Sequence, residues 1–284
     1  MSSSILVAVI VFGVTGLILG IVLYAVSRKF TVEEDIRIKE ITYLLPGANC
    51  GGCGYPGCAA YAEACINNGS LITNCSACDN DSMLKIAELL GTKADIGQEK
   101  VAVVRCDGSC TNRPRLAWYD GVKLCSVAHL TAGGDTGCFF GCLGCGDCVL
   151  VCSFDAIKMN PETGLPEVDQ EKCTACGMCV IACPRSIIEL RNKNKSDRRV
   201  YVSCVSKDKG AVAKKACAVA CIGCGKCFDV CTFQAIVMAD NLAYIDYEKC
   251  KLCRKCVDVC PQNIIKAVNF PERKVKMIEL NKSS

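Results

Sequence analysis

The chain has 284 residues, 28 of them cysteine, and a formal charge of +4 that counts every cysteine as neutral. Nearly one residue in ten is cysteine, far above globular usage, so the choice is between a disulfide scaffold and metal ligation. Cysteines crowded two or three residues apart cannot all pair with distant partners, whereas thiolates gripping one metal cluster need that crowding. The chain therefore reads as a metal binder in a reducing compartment, and its small positive balance is no argument for nucleic acid.

Residues 5–26, ILVAVIVFGVTGLILGIVLYAV, carry no charged side chain, and their number suffices for a membrane-spanning helix. Met1-Ser2-Ser3-Ser4 lacks the positive region of a cleaved signal peptide. Arg28 and Lys29 follow the span at once. That border predicts a single-pass cell-membrane anchor over 1–28, with the N-terminus outside and the rest in the cytoplasm. Gly13, Gly16 and Gly20 mark a small-residue face for helix packing. The span holds no ionisable group, so any ion transport falls to other subunits.

Residues 29–95 open on a charged stretch, Thr31 to Glu40, and then read LLPGANCGGCGYPGCAAYAEACINNG. Cys50, Cys53, Cys58 and Cys75 form C-x2-C-x4-C-x16-C, with glycines that let a loop fold tightly round a [4Fe–4S] cube. Zinc is the rival for four such thiols. One helix is expected from Cys58 to about Asn67, stopped at Gly69. A second is expected over Met83 to Leu90, capped by Asp81 or Ser82 and ended by Gly91. Cys65 and Cys78 lie outside the spacing and read as buried thiols.

Residues 96–137 form a cysteine-containing connector. Val101 to Val104 reads as a short buried strand. Cys106, Cys110, Cys125 and Cys138 are candidate ligands of an extra cluster, although C-x3-C-x14-C-x12-C matches no standard run and buried thiols are the alternative. Cys138 stands four residues before Cys142, and Cys217 four before Cys221, so each either replaces a neighbouring ligand or belongs to an added cube. Val202-Ser203-Cys204 echoes Val104-Arg105-Cys106. The echoes suggest duplication of a unit larger than a ferredoxin core, in which Cys110 and Cys125 have no counterpart. His129, the only histidine, reads as tolerated rather than ligating, and Trp118 as packing.

Four times the remaining chain spells Cys-x2-Cys-x2-Cys-x3-Cys: Cys142-Cys145-Cys148-Cys152, Cys173-Cys176-Cys179-Cys183, Cys221-Cys224-Cys227-Cys231 and Cys250-Cys253-Cys256-Cys260. This is the bacterial-ferredoxin run, whose fourth cysteine ligates the neighbouring cube. The crossover assigns Cys142, Cys145, Cys148 and Cys183 to one cube and Cys152, Cys173, Cys176 and Cys179 to the next. It then assigns Cys221, Cys224, Cys227 and Cys260 to a third, and Cys231, Cys250, Cys253 and Cys256 to a fourth. Apolar pairs in phase (Ala156-Ile157, Ile187-Ile188, Ala235-Ile236, Ile264-Ile265) should cover the cubes and begin short strands. Two ferredoxin-like modules are expected, over 138–190 and 217–268. A basic connector spans 191–216 and a tail 269–284. From Arg185 to Lys215 the chain carries Arg185, Arg191, Lys193, Lys195, Arg198, Arg199, Lys207, Lys209, Lys214 and Lys215, as a solvated linker or as a docking surface for an acidic ferredoxin.

The fold class is thus α+β: a single N-terminal transmembrane helix, a small cysteine-rich [4Fe–4S] domain, then two bacterial-ferredoxin-like modules. The single span, the segment CGGCGYPGCAAYAEA with its distant Cys75, and the ferredoxin runs together resemble the B-subunit family of the Rnf complexes over nearly the whole chain. That resemblance implies a membrane oxidoreductase coupling electron flow between ferredoxin and NAD to sodium or proton transport. It implies an electron-transfer subunit that takes electrons from soluble ferredoxin and passes them to other integral membrane subunits, without a complete active site of its own. On this reading the chain holds at least five [4Fe–4S] clusters, with a sixth left open. No Gly-x-Gly-x-x-Gly follows a strand and no Walker sequence occurs, so no direct nucleotide binding is expected. The alternatives are the wiring subunit of another membrane oxidoreductase and a reductant of a redox-sensing regulator.

Overall fold

An unbroken apolar run gives helix α1 (Ser2–Lys29), 28 residues and about 42 Å long. Its side chains from Ile5 onward are exposed, a larger apolar surface than soluble proteins leave open. The stretch Ile5–Lys29 is long and apolar enough to cross a membrane. Thr15 Oγ1 donates to the Val11 carbonyl at 2.6 Å, so this hydroxyl is satisfied within the helix. The structure is a computed structural model, and it describes residues 2–29, 35–68, 75–92, 98–131, 133–193 and 196–271.

After the anchor, part of the expected charged stretch is helical: α2 (Ile36–Leu44) starts at Asp35, whose carboxylate accepts from the Arg37 N–H. It packs through Ile41 against α3 (Cys58–Asn68) and α4 (Asn80–Leu90). Helix α4 begins three residues earlier than expected. Its cap is Asp79, in an extended backbone and accepting from Ser82 N–H at 3.0 Å, which leaves Asp81 and Ser82 inside the first turn. Gly91 ends it in the left-handed conformation, where glycine carries no Cβ penalty. The stop expected at Gly69, the residue Lys195 and the tail beyond residue 271 lie outside the described residues.

Two copies of one β arrangement follow. Strand β1 (Lys100–Val104) heads the first. Helix α5 (Cys125–Thr131), the hairpin β2 (Ile157–Met159) with β3 (Pro166–Val168), and β4 (Ile188–Asn192) come after it. The second has β5 (Arg199–Val202), the hairpin β6 (Ile236–Ala239) with β7 (Leu242–Ile245), and β8 (Ile265–Val268). In each copy the first strand pairs antiparallel with the last, β1 with β4 and β5 with β8, Val104 opposite Ile188 and Val202 opposite Ile265. The match extends to single bonds: Arg105 N–H donates to Ile187 O at 2.7 Å and Ser203 N–H to Ile264 O at 2.8 Å.

The sheet of the first copy therefore takes its outer strand from the stretch expected to be a connector, and the second does the same from the basic stretch. Cysteine spacing marks where clusters bind, but the strand that closes each sheet stands well before its first cysteine. The four apolar pairs are buried, and a strand begins at Ile157, Ile188, Ile236 and Ile265.

The basic stretch also differs from expectation. Arg191 is 1% exposed and Arg199 3% exposed, so neither serves a solvated linker or an outer docking face. Arg191 donates to Glu189 and to Val200 O, and lies over the rings of Tyr201, Tyr244 and Tyr247. Arg199 reaches Asp197 and, at 2.6 Å, Gln170 Oε1 of the first copy. Arg105 crosses the same seam to Val202 O and Cys204 O. Guanidinium groups bury where carboxylates, carbonyls and aromatic faces meet their fork of donors, and here they lock the two modules together. Trp118 is the reverse case: expected to pack, it is 82% exposed, in the stretch between the bridged residues Arg115 and Thr136.

Candidate iron–sulfur centres

Besides a left-handed residue just before the second cysteine (Gly144, Ala175, Gly223 and Leu252), two others shape each of the four runs. One follows the second cysteine: Gly146, Gly177, Gly225 and Arg254, each starting a short helical turn. The other stands three residues after the last cysteine: Asp155, Ser186, Gln234 and Asn263. The N–H of each donates to that cysteine's carbonyl at 3.1–3.3 Å.

In the second module Cys221, Cys224, Cys227 and Cys260 line one small cavity, roofed by Ile264 and Ile265. Cys231, Cys250, Cys253 and Cys256 line another, against Ala235 and Ile236. Burial first, and then the thiols of Cys221, Cys260 and Cys224, push Cys227 up to about 11. Burial with Cys250, Cys253 and Cys227 pushes Cys256 up to about 12. Such thiols stay neutral without a cation and must each release a proton to ligate one.

The first module repeats the pattern. Burial and the thiols of Cys173, Cys176, Cys148 and Cys152 push Cys179 up to about 12. Burial and the thiols of Cys125 and Cys183 push Cys148 up to about 11. The Ala102 N–H donates to Cys173 Sγ at 3.5 Å, a bond of the kind that tunes cluster thiolates. Cys125 is beside Cys145. Its N–H donates to the Asp147 carboxylate at 2.6 Å, so residues of the first run anchor the start of α5.

The four connector thiols are not brought together as one set. Cys125 joins the first run, and Cys110 sits exposed over Gly164, its N–H donating to Thr163 O. Cys106 and Cys138 instead share a cavity with Cys204 and Cys217. The signals for these last two were the echo of Val104-Arg105-Cys106 and the added cysteine four residues before each run. His129 is exposed on α5.

In the N-terminal domain Cys53, Cys58 and Cys75 are neighbours, the thiols of Cys53 and Cys58 adding to the burial that raises Cys75. Asn49 Oδ1 accepts the Cys58 N–H at 2.8 Å, and a Cβ on Gly57 would lie 2.9 Å from that oxygen, which accounts for the glycine. Cys65 is buried beside Tyr61, and Cys78 lies by Leu44 O. Gly52 touches the first module: a Cβ there would stand 2.7 Å from the Cys176 carbonyl. The Cys50–Cys53 loop thus sits directly on the second run. Spaces lined by four cysteines under an apolar cover suit [4Fe–4S] cubes by their donor set. Among the described residues no three Cys, His, Asp or Glu side chains gather round a single-ion position.

Residues 141–187 and 220–264 each match the family described as 4Fe-4S dicluster domain, and residues 45–77 match one described as "Putative Fe-S cluster". The chain is 44% identical over 265 residues to the B subunit of the Na(+)-translocating ferredoxin:NAD(+) oxidoreductase complex of Acetobacterium woodii, covering 93% of this chain and 78% of that protein. It is 39% identical to the B subunit of the ion-translocating oxidoreductase complex of Methanosarcina acetivorans, over 93% of this chain and 99% of that one. A Clostridium ljungdahlii relative, the B subunit of a proton-translocating ferredoxin:NAD(+) oxidoreductase complex, is 38% identical over 94% of this chain and 93% of its own.

Proposed function

The chain belongs to the B-subunit family of the Rnf ion-translocating oxidoreductase complexes and is an iron–sulfur electron-transfer component of such a complex; on that premise we propose that it accepts electrons from reduced ferredoxin and relays them to integral membrane partners. The observation that carries this reading is contiguity. The Cys50–Cys53 loop lies against Cys176, Cys179 neighbours Cys148, and Cys256 neighbours Cys227. Each cluster, when bound, takes up and returns one electron.

The proposed ligands are Cys50, Cys53, Cys58 and Cys75 in the N-terminal domain, and the four crossover sets of the two modules. The protein's work is to hold these sites at fixed spacing, exclude water with Ile157, Ile188, Ile236 and Ile265, and aim backbone N–H groups at the thiolates. We place the cysteine-bearing part in the cytoplasm, because Arg28 and Lys29 close the span. Hydride chemistry on NAD then belongs to another component of the complex.

The test is rapid anaerobic mixing of the purified complex with reduced ferredoxin, followed by bleaching of the visible cluster absorption and by EPR. Reduction of this chain's clusters ahead of any flavin is the expected result. Clusters that stay oxidised with ferredoxin, yet reduce with another donor, refute the proposed direction of entry.

A further inference from the structure

Four thiols outside the spaced runs converge where the two modules meet. Strands β1 and β5 end one residue before Arg105 and two before Cys106 in the first copy, and likewise before Ser203 and Cys204 in the second. Cys106 Sγ accepts the Cys142 N–H at 3.4 Å, and Cys204 Sγ accepts the Cys221 N–H at 3.4 Å. Cys138 and Cys217 occupy matching places ahead of those same lead cysteines. All four line one small cavity, as the spaced cysteines of the second module line theirs.

Space and charge are both prepared there. A Cβ on Gly108 would lie 3.3 Å from Cys217 Sγ and 3.6 Å from Cys106 Sγ, and one on Gly141 would lie 3.3 Å from Cys138 Sγ. Arg113, in the same wall, is 5% exposed, and its Nε and Nη1 have no hydrogen-bond partner. A buried cation with unmet donors is costly unless an anion faces it. A cube with four thiolates carries about −2 and supplies that anion. Tetrahedral zinc, the rival for four thiols, would draw the sulfurs to about 3.8 Å from one another, from Zn–S bonds of about 2.3 Å.

We propose that Cys106, Cys138, Cys204 and Cys217 hold a further [4Fe–4S] cluster across the module interface, with Arg113 as its buried counter-charge. The inference rests on the iron–sulfur reading of the spaced cysteines and adds to it. The site abuts Cys142 on one side and Cys221 on the other, the lead cysteines of the facing runs, and so fills the gap between the two modules. Half of its ligands come from each copy, so the duplication itself creates the site.

Native mass spectrometry of the full-length, anaerobically purified chain, with iron, sulfide and zinc analysis, tests this. Six cubes and about 24 iron atoms are expected, at four iron atoms per cube. The double variants C106A/C138A and C204A/C217A, cut from opposite sides, should each lose the same one cube, about 4 iron atoms by the same count, whereas C110A loses none. Five cubes in the unaltered chain, a zinc ion lost in place of a cube, or double variants that keep all six overturn the proposal. The count on the unaltered chain holds even where a variant misfolds, because a sixth cube needs four thiolates beyond the twenty spaced cysteines. A chain without any cubes would instead overturn the iron–sulfur reading beneath it.

Discussion

Substitution of Gly52 by alanine probes whether the N-terminal site is truly seated on the first module. The added Cβ would stand 2.7 Å from the Cys176 carbonyl oxygen and 3.1 Å from Cys176 Cβ. Ordinary carbon contacts begin near 3.5 Å, so the two loops must part by about 0.5–0.8 Å or distort. Overpacking of this size costs about 1–3 kcal/mol, a shift of about 5- to 150-fold in the docked population. Amide exchange over residues 173–179 should accelerate by that factor, and magnetic coupling between the two reduced centres in EPR should weaken. Iron content should stay at the parent value, because no ligand is touched. Gly54→Ala is the control: its φ of +88° strains the backbone, yet nothing lies within 4 Å of the new Cβ. Exchange and coupling unchanged in Gly52→Ala, or changed equally in both variants, would refute the direct seating.

Asp79→Ala removes the α4 cap at a cost of about 1 kcal/mol, read as roughly fivefold faster exchange at residues 83–86. The bonds from Ser82 hold the Asp79 carboxyl below its usual range. Its contribution is therefore complete above the unfolded value of about 3.9 and is lost as pH falls through the lower folded value; protection of α4 that is flat from pH 6 to about pH 3 would contradict this. Arg105→Met deletes the bonds to Val202 O, Cys204 O and Glu189. At about 1.5–3 kcal/mol for charged hydrogen bonds, β5 amides should exchange on the order of 10- to 150-fold faster. Joint charge reversal of Lys209, Lys214 and Lys215, all exposed at or on the helix Gly210–Ala216, should slow ferredoxin-driven reduction about tenfold at low salt and flatten its salt dependence. Stopped-flow traces identical to the parent at every salt concentration would exclude this face from docking.

What could be read in advance was local. The four cysteine runs, the apolar pairs behind them and the glycine stop at Gly91 depend on a few neighbouring residues and their turn chemistry. The apolar span from Ile5 declared itself by its length and unbroken hydropathy. What escaped was long-range. Pairing of Lys100–Val104 with Ile188–Asn192 closes a loop of more than eighty residues, which no short pattern announces. Arg191 and Arg199 looked solvent-bound because charge alone was visible; the tyrosine faces, Glu189 and Gln170 that receive them come from several separate strands and turns. The convergence of Cys106 and Cys138 with Cys204 and Cys217 lay half hidden in the repeat echo, yet only the packing of one copy on the other joins the halves.

Helix α1 ends at Lys29 and α2 is capped at Asp35, so six residue steps separate the anchor from the cysteine-bearing domain. At about 3.4 Å per fully extended residue, this leash cannot exceed about 20 Å. With α1 seated in a bilayer, the domain that begins at Asp35 would be held close over its surface, and its search for membrane partners would be reduced from a volume to a plane. Tethers this short sustain effective concentrations in the millimolar range. A contact too weak to survive dilution would then suffice to keep the cysteine-bearing domain at its partners.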